Sequence, residues 1–266
     1  MQIKTTIKPI LSVLLFLSLL LVGATSCKKD RDENSDPPPG NSERIKEFKT
    51  GDEFIRFEYN GAGNVIKVIT NSEVTTGGAT TTYNVTYSGN KIASVETPEE
   101  KIVPVYENNA LSRADIFQNN ERVGFTNYQY ENGLLKKATI YFGENDEFNP
   151  FLQFNFSYNP AGNVTENVAM IATGTGGQLE RSGHIAYQYD QKTNPLYVQR
   201  ELMSLFWLAP SKNNVTTEDH FDANLQPEDK FVYNYSYNNK GLPKSAVITQ
   251  GLPGQPTTVS NAQYTY

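Results

Sequence analysis

The stretch Leu152–Val164, LQFNFSYNPAGNV, decides the fold. Leu152, Phe154, Phe156 and Tyr158 alternate with Gln153, Asn155 and Ser157. A period of two marks a strand with one dry face and one wet face. Asn159, Pro160 and Gly162 then supply turn chemistry, and Val164 opens a return strand. The segment reads as one β-hairpin.

The same unit recurs along the chain. Phe57-Glu58-Tyr59-Asn60-Gly61-Ala62-Gly63-Asn64-Val65, Val85-Thr86-Tyr87-Ser88-Gly89-Asn90-Lys91-Ile92 and Tyr128-Gln129-Tyr130-Glu131-Asn132-Gly133-Leu134-Leu135 share its form, as does Tyr235-Ser236-Tyr237-Asn238-Asn239-Lys240-Gly241-Leu242. Degenerate copies begin at Val105 and Tyr187, and the chain stops half a unit on, at Tyr264-Thr265-Tyr266. The pattern is aromatic-x-Tyr, a short Asn/Gly turn, then an aliphatic run carrying lysine. Turn length varies, so a bulge must absorb the odd residue or the next strand would present its apolar face to water. An isolated hairpin is marginal in water, and stacking hairpins side by side pairs each exposed edge. The expectation is an all-β fold, a large antiparallel meander of roughly 14–16 strands curled into an open or closed barrel-like sheet. Aromatic pairs between adjacent units are expected to bind it together.

One interval breaks the rhythm. Asn194-Pro195 can cap and start a helix, Val198, Leu202, Leu205 and Phe206 follow helical spacing, and Pro210 ends it. A helical insertion over 195–208 is expected, holding the single tryptophan, Trp207. It reads as a plug or cap on the curled sheet, with a lid or ligand-facing element as the alternative.

The start of the chain reads as an address. Lys4 and Lys8 precede the apolar run Ile10–Val22, too short to span a bilayer and fitted to a signal peptide over 1–26. Leu21-Val22-Gly23-Ala24-Thr25-Ser26-Cys27 resembles a bacterial lipobox, which implies lipid attachment at Cys27, the only cysteine. Residues 27–44 are charged and proline-rich and read as a flexible tether. The charged segment after Cys27 resembles the surface-export signals of Bacteroidota lipoproteins. The remainder, 45–266, reads as a single domain.

The Tyr-x-x-x-Gly-x-Leu/Val units resemble YD-type repeats. Taken with the lipobox, Asn194-Pro195-Leu196 and Ser211-Lys212-Asn213-Asn214-Val215, they resemble uncharacterised Bacteroidota lipoproteins with a porin-like antiparallel β-sheet, over Phe54–Tyr266. The resemblance implies a fold and an outer-membrane, cell-surface location, with a periplasm-facing domain as the alternative. It supplies no catalytic residue.

Chemistry is sparse. Of the two histidines, His184 falls on the polar face of its strand or at its end. His220 lies in Glu218-Asp219-His220-Phe221-Asp222, which lacks metal-ligand spacing and reads as a solvated loop. Glu144-Asn145-Asp146-Glu147 reads as a hairpin tip rather than a calcium loop. Thr76-Gly77-Gly78 and Gly174-Thr175-Gly176-Gly177 join strands, so they are turns and not phosphate cradles. No cofactor, metal or catalytic residue is assigned. A net charge of −6 with scattered basic residues argues against nucleic acid. The leading expectation is a lipid-anchored, non-enzymatic binding module for a glycan or protein. A hydrolase of envelope or environmental polymers and an integral outer-membrane β-barrel are the alternatives.

Overall fold

The structure is a computed structural model that describes residues 44–71, 79–144, 147–173, 177–252 and 254–266. The leader, Cys27, the tether up to residue 43, Thr76-Gly77-Gly78, Asn145-Asp146 and Gly174–Gly176 lie outside the described residues.

Sixteen strands follow one another in chain order. The first eight are β1 (Glu47–Thr50), β2 (Glu53–Tyr59), β3 (Val65–Asn71), β4 (Thr80–Ser88), β5 (Lys91–Glu96), β6 (Glu100–Glu107), β7 (Ala110–Gln118) and β8 (Glu121–Glu131). The rest are β9 (Leu134–Glu144), β10 (Glu147–Tyr158), β11 (Val164–Thr173), β12 (Gln178–Thr193), β13 (Asn213–Phe221), β14 (Pro227–Tyr237), β15 (Pro243–Gln250) and β16 (Thr258–Thr265). Each pairs with its sequence neighbour, and β1 pairs with β16, so the meander is a closed barrel. Closure removes every edge, which is how the fold avoids open strand pairing.

The turns match their residues. Asn108-Asn109, Asn119-Asn120 and Asn132-Gly133 take positive φ at both central positions, as two-residue hairpins require. Longer turns share another device. The side chains of Asn60, Asn159 and Asn238 each accept from the backbone N–H groups two and four residues on, with Gly63, Gly162 and Gly241 in the left-handed region. Asp222 repeats that pattern with Leu225 in the left-handed position.

Every Tyr-turn unit carries the bulge that the phase argument demands, and always at one place. The register shifts at Tyr59, Tyr87, Tyr106, Tyr130, Tyr158, Tyr189 and Tyr237, so one residue is extra on each return strand. The residue just before that extra one faces inward and is buried in each case: Val65, Ile92, Leu111, Leu135, Val164, Val215 and Pro243.

The expected aromatic pairs between units are joined by something more directional. Ring contacts run within a strand, as in Tyr233–Tyr235 and Phe154–Phe156, each at 6.4 Å, and across strands, as in Phe48–Tyr264 at 5.0 Å and Phe142–Phe151 at 5.6 Å. Between units the tyrosine hydroxyl adds a second tie. Tyr87 donates to the carbonyl of Val65 (3.0 Å), Tyr106 to Ile92 (3.3 Å), Tyr158 to Leu135 (2.7 Å) and Tyr266 to Pro243 (2.9 Å). Tyr189 donates to Val164, and Tyr235 to Val215. Each tyrosine thus latches the residue just before the bulge of the preceding return strand. The bulge at that residue tilts the carbonyl out of the regular ladder and leaves it open to a second donor.

A barrel of sixteen strands is wide enough for a channel, yet this one is filled. The β12–β13 connection folds inward as a 3-10 turn (Tyr197–Gln199) and a helix, α1 (Arg200–Leu205). Leu202, Met203 and Leu205 are buried, and each such side chain contributes roughly 1.5–3 kcal/mol. Phe206 meets Tyr83 edge-on at 5.3 Å, and Trp207 Nε1 donates to Thr126 Oγ1 at 2.8 Å. The helix is shorter than the 195–208 expected. Asn194 spends its side chain on an Asx turn to the Leu196 N–H and on the Ser211 carbonyl, so regular helix starts only at Arg200. Trp207, at φ +62°, ends it. Val198 is not on the buried face as the spacing suggested; it is 39% exposed.

Candidate functional site

The meander gives the barrel two unlike ends. The Tyr-turn hairpins, the helical plug, Ile45 and Tyr266 share one end, because alternate turns of an antiparallel meander fall together. The other end is the mouth. Three places in the wall and mouth carry chemistry.

The first is on the inner wall. The bulge at the start of β13 turns Glu218 and His220 inward and Asp219 outward, where it meets Lys230 Nζ at 2.7 Å. The solvated loop expected here is therefore a strand, and its acid is the most enclosed in the described chain, at 1% exposure. Glu218 Oε1 accepts from the Tyr233 hydroxyl (3.0 Å), and its other oxygen lies 3.0 Å from His220 Nε2. Burial pushes the Glu218 carboxyl above its ordinary range, and the bonds from His220 and Tyr233 pull part of the way back. An acid, an imidazole and a phenol in contact have the parts for proton transfer. The carboxylate is closed to solvent, the His220 side chain is 22% exposed, and the Tyr233 bond ties β13 to β14. Among the described residues no group of three or more His, Cys, Asp or Glu converges as a metal site.

The second place is a recess of about 20 Å³ at the mouth-facing tip of the plug, with Phe206 and Trp207 as floor and Tyr83, Ile116 and Glu100 beside it. That is room for about one water molecule. Burial raises the Glu100 pKa, opposed by a bond from Gln118 Nε2 at 3.1 Å.

The third lies outside, on the wall of β7–β10. Phe125 and Tyr141 are directly opposed across β8 and β9 and stack at 4.6 Å and 14°. Phe148 meets Phe125 edge-on at 5.5 Å. Arg113 and Arg122 lie over the Phe125 ring at 5.2 and 5.0 Å, and Arg122 also over Phe148 at 4.8 Å. Both guanidiniums reach the same acceptor, Asp115 Oδ1, at 2.7 and 2.8 Å. Two residues along each strand runs a row of amides and hydroxyls: Asn127, Thr139 and Gln153, with Asn155 beyond. Thr139 Oγ1 donates to Gln153 Oε1 (3.2 Å), and Gln153 Nε2 donates to Asn155 Oδ1 (3.0 Å). The uncharged polar face expected from the sequence is this row. The arginine–aromatic pile beside it joins residues from four strands that no single stretch of sequence brings together. Its signal was phase: Phe125 and Tyr141 are aromatics on the wet side of strands whose dry side is Thr126, Tyr128, Ala138 and Ile140.

His184 takes the polar face as expected, stacked on Phe221 at 5.2 Å and 20°. Glu144 and Glu147 face each other at the ends of β9 and β10, the hairpin tip expected of them.

Residues 109–200 match a family described as a family of unknown function, DUF3836. No curated protein matches the chain. Two solved structures share the architecture. A porin-like protein from Bacteroides vulgatus ATCC 8482 superposes with a TM-score of 0.58 at 12% identity, over 84% of this chain and 98% of that one. A porin-like protein from Bacteroides uniformis ATCC 8492 gives 0.55 at 12% identity, over 82% and 94%. The chain shares the fold of these porin-like Bacteroides proteins.

Proposed function

We propose that this chain is an outer-membrane-anchored surface lipoprotein, held by a lipid on Cys27, whose barrel is a non-enzymatic binding module for a glycan or protein. The observation that carries the reading is the polarity of the wall. Ion pairs stand on the outer face around the ring: Arg56–Glu47, Lys67–Glu58 (2.9 Å), Lys101–Glu96 (3.1 Å) and Lys230–Asp219 (2.7 Å). Each Arg or Lys on a lipid-facing strand costs about 2–4 kcal/mol at the bilayer midplane. The inner side is apolar and plugged, the reverse of a transmembrane barrel that encloses water. A wall suited to water and a filled lumen support a module that sits beside a membrane and presents its surface, with attachment left to the N-terminal lipid. The porin-like fold fits a surface setting without supplying a pore.

The test is Cys27→Ala in the full chain, expressed in a Bacteroides host. Wild type is expected to take up an alkyne fatty acid, to need detergent for extraction and to be cleaved by protease added to intact cells. C27A is expected to lose the label and appear in the detergent-free fraction. Retention of C27A in the membrane until detergent is added would overturn the reading.

A further inference from the structure

We infer that the arginine–aromatic pile and the amide row on the outer wall of β7–β10 form a binding site for an acidic polysaccharide. The inference rests on the reading of the barrel as a surface binding module and names its ligand class.

The pile holds cations in fixed positions. Arg122 lies over both Phe125 and Phe148, Arg113 lies over Phe125, and Asp115 ties the two guanidiniums together. A long flexible side chain loses rotamer entropy when it grips an anion; here that cost is already met by the fold. Asp115 neutralises one of the two cations and leaves the other for a ligand. Arg113 and Arg122 remain 40% and 27% exposed at their side chains, while Arg122 Nε is itself buried. A planar guanidinium with free N–H groups suits a carboxylate or a sulfate.

The amide row supplies the second half. Asn127, Thr139 and Gln153 cross three strands in register, about 7 Å from the pile at the rise of an extended chain, and Asn155 follows Gln153 along β10. Their bonded chain is Thr139 to Gln153 to Asn155, which fixes the amide orientations. The planar amides, uncharged and aligned over the buried Thr139, match the donors and acceptors of sugar hydroxyls. Lys137 extends the wall from there, opposite both Gln129 and Asn155. Glu144 and Glu147 bound the patch on the mouth side. A chain of acidic sugars therefore runs down the wall from the arginines toward Lys137, away from those carboxylates. Single-stranded nucleic acid is disfavoured because Phe125 and Tyr141 already stack on each other and leave no open platform between them for a base.

The experiment uses the full-length chain purified in detergent. Fluorescent oligogalacturonate, oligomannuronate and chondroitin sulfate fragments are titrated beside their neutral or methyl-esterified counterparts, and beside anionic phospholipid vesicles. At least one acidic glycan is expected to bind at least tenfold tighter than its neutral counterpart and to weaken with salt. The variant Arg113→Gln/Arg122→Gln is expected to lose at least tenfold. Should that pair disturb the pile, as read by a lowered melting temperature, Asn127→Asp serves instead. It adds a like charge on the amide row, touches no ring, and is expected to weaken only the acidic glycans. Equal binding of acidic and neutral glycans, binding of the vesicles alone, no binding at all, or binding indifferent to these substitutions would each overturn the inference. Anchoring through Cys27 is read in a separate assay, so the glycan site can fail while the surface lipoprotein stands.

Discussion

Tyr158 and Tyr128 both face the barrel interior, yet their hydroxyls are used differently. Tyr158 donates to the Leu135 carbonyl at 2.7 Å, whereas the buried Tyr128 hydroxyl latches no carbonyl and has the Thr126 side chain beside it. A formed latch contributes about 0.5–1.5 kcal/mol, and Tyr128 has none to lose. Tyr158→Phe should therefore lower the urea midpoint more than Tyr128→Phe does. Equal losses in the two variants would refute the latch as a source of stability. Glu218 gives a pH-dependent contrast. Its pKa is raised in the folded state, so the folded chain holds the proton more tightly than the unfolded chain does. Its contribution to stability is complete below the ordinary carboxylate pKa and is lost as pH rises through the raised value. Glu218→Gln keeps an acceptor for Tyr233 and has no charge to desolvate. It should match wild type in acid and exceed it at neutral pH, by on the order of 1 kcal/mol. Thermal melts from pH 4 to 8 would show the two curves parting as pH rises.

Single elements show what the pattern could and could not reveal. Strand and hairpin identities were legible because alternation and Asn/Gly turns are local properties. The bulge position was not, and it decides phase. On β13 the extra residue is Thr216, after the inward Val215. Counting by twos from Val215 without the bulge would send Glu218 and His220 outward, so nothing local in the sequence marks that acid as buried. The helix was legible as a location, but the side-chain bonds of Asn194 shortened it. Two substitutions test these elements. Leu225 holds φ +63° in the Asp222 turn with 47% of its surface exposed. Leu225→Gly removes a left-handed penalty of about 1–2 kcal/mol at little packing cost and should raise the melting temperature. Leu202→Ala on α1 empties a 2%-exposed site and should cost about 2–5 kcal/mol in denaturant unfolding.

For the molecule as a whole, closure was the part the sequence left undecided between an open and a closed sheet, because it depends on strand number and stagger summed around the ring. The seam is short. β1 has only four residues and pairs Glu47–Thr50 with Thr265–Ala262, while Phe48 packs on Tyr264 at 5.0 Å and Tyr266 reaches Pro243. Deleting Tyr264–Tyr266 removes the ring that packs on Phe48 and half of that register. The truncated chain should expose two bare edges and associate, read as a shift to larger species in size-exclusion chromatography. A monomer of unchanged size would show that the seam is dispensable.

With Glu47 and Thr265 side by side, the circle of strands has no intrinsic beginning. A short linker joining residue 45 to residue 266 would let the gene be reopened elsewhere, for instance between Asn132 and Gly133, at an exposed two-residue turn on the same rim as the native termini. Such a circularly permuted chain should still be able to complete every strand pair, because order around the ring, not the point of entry, is what its pairing encodes.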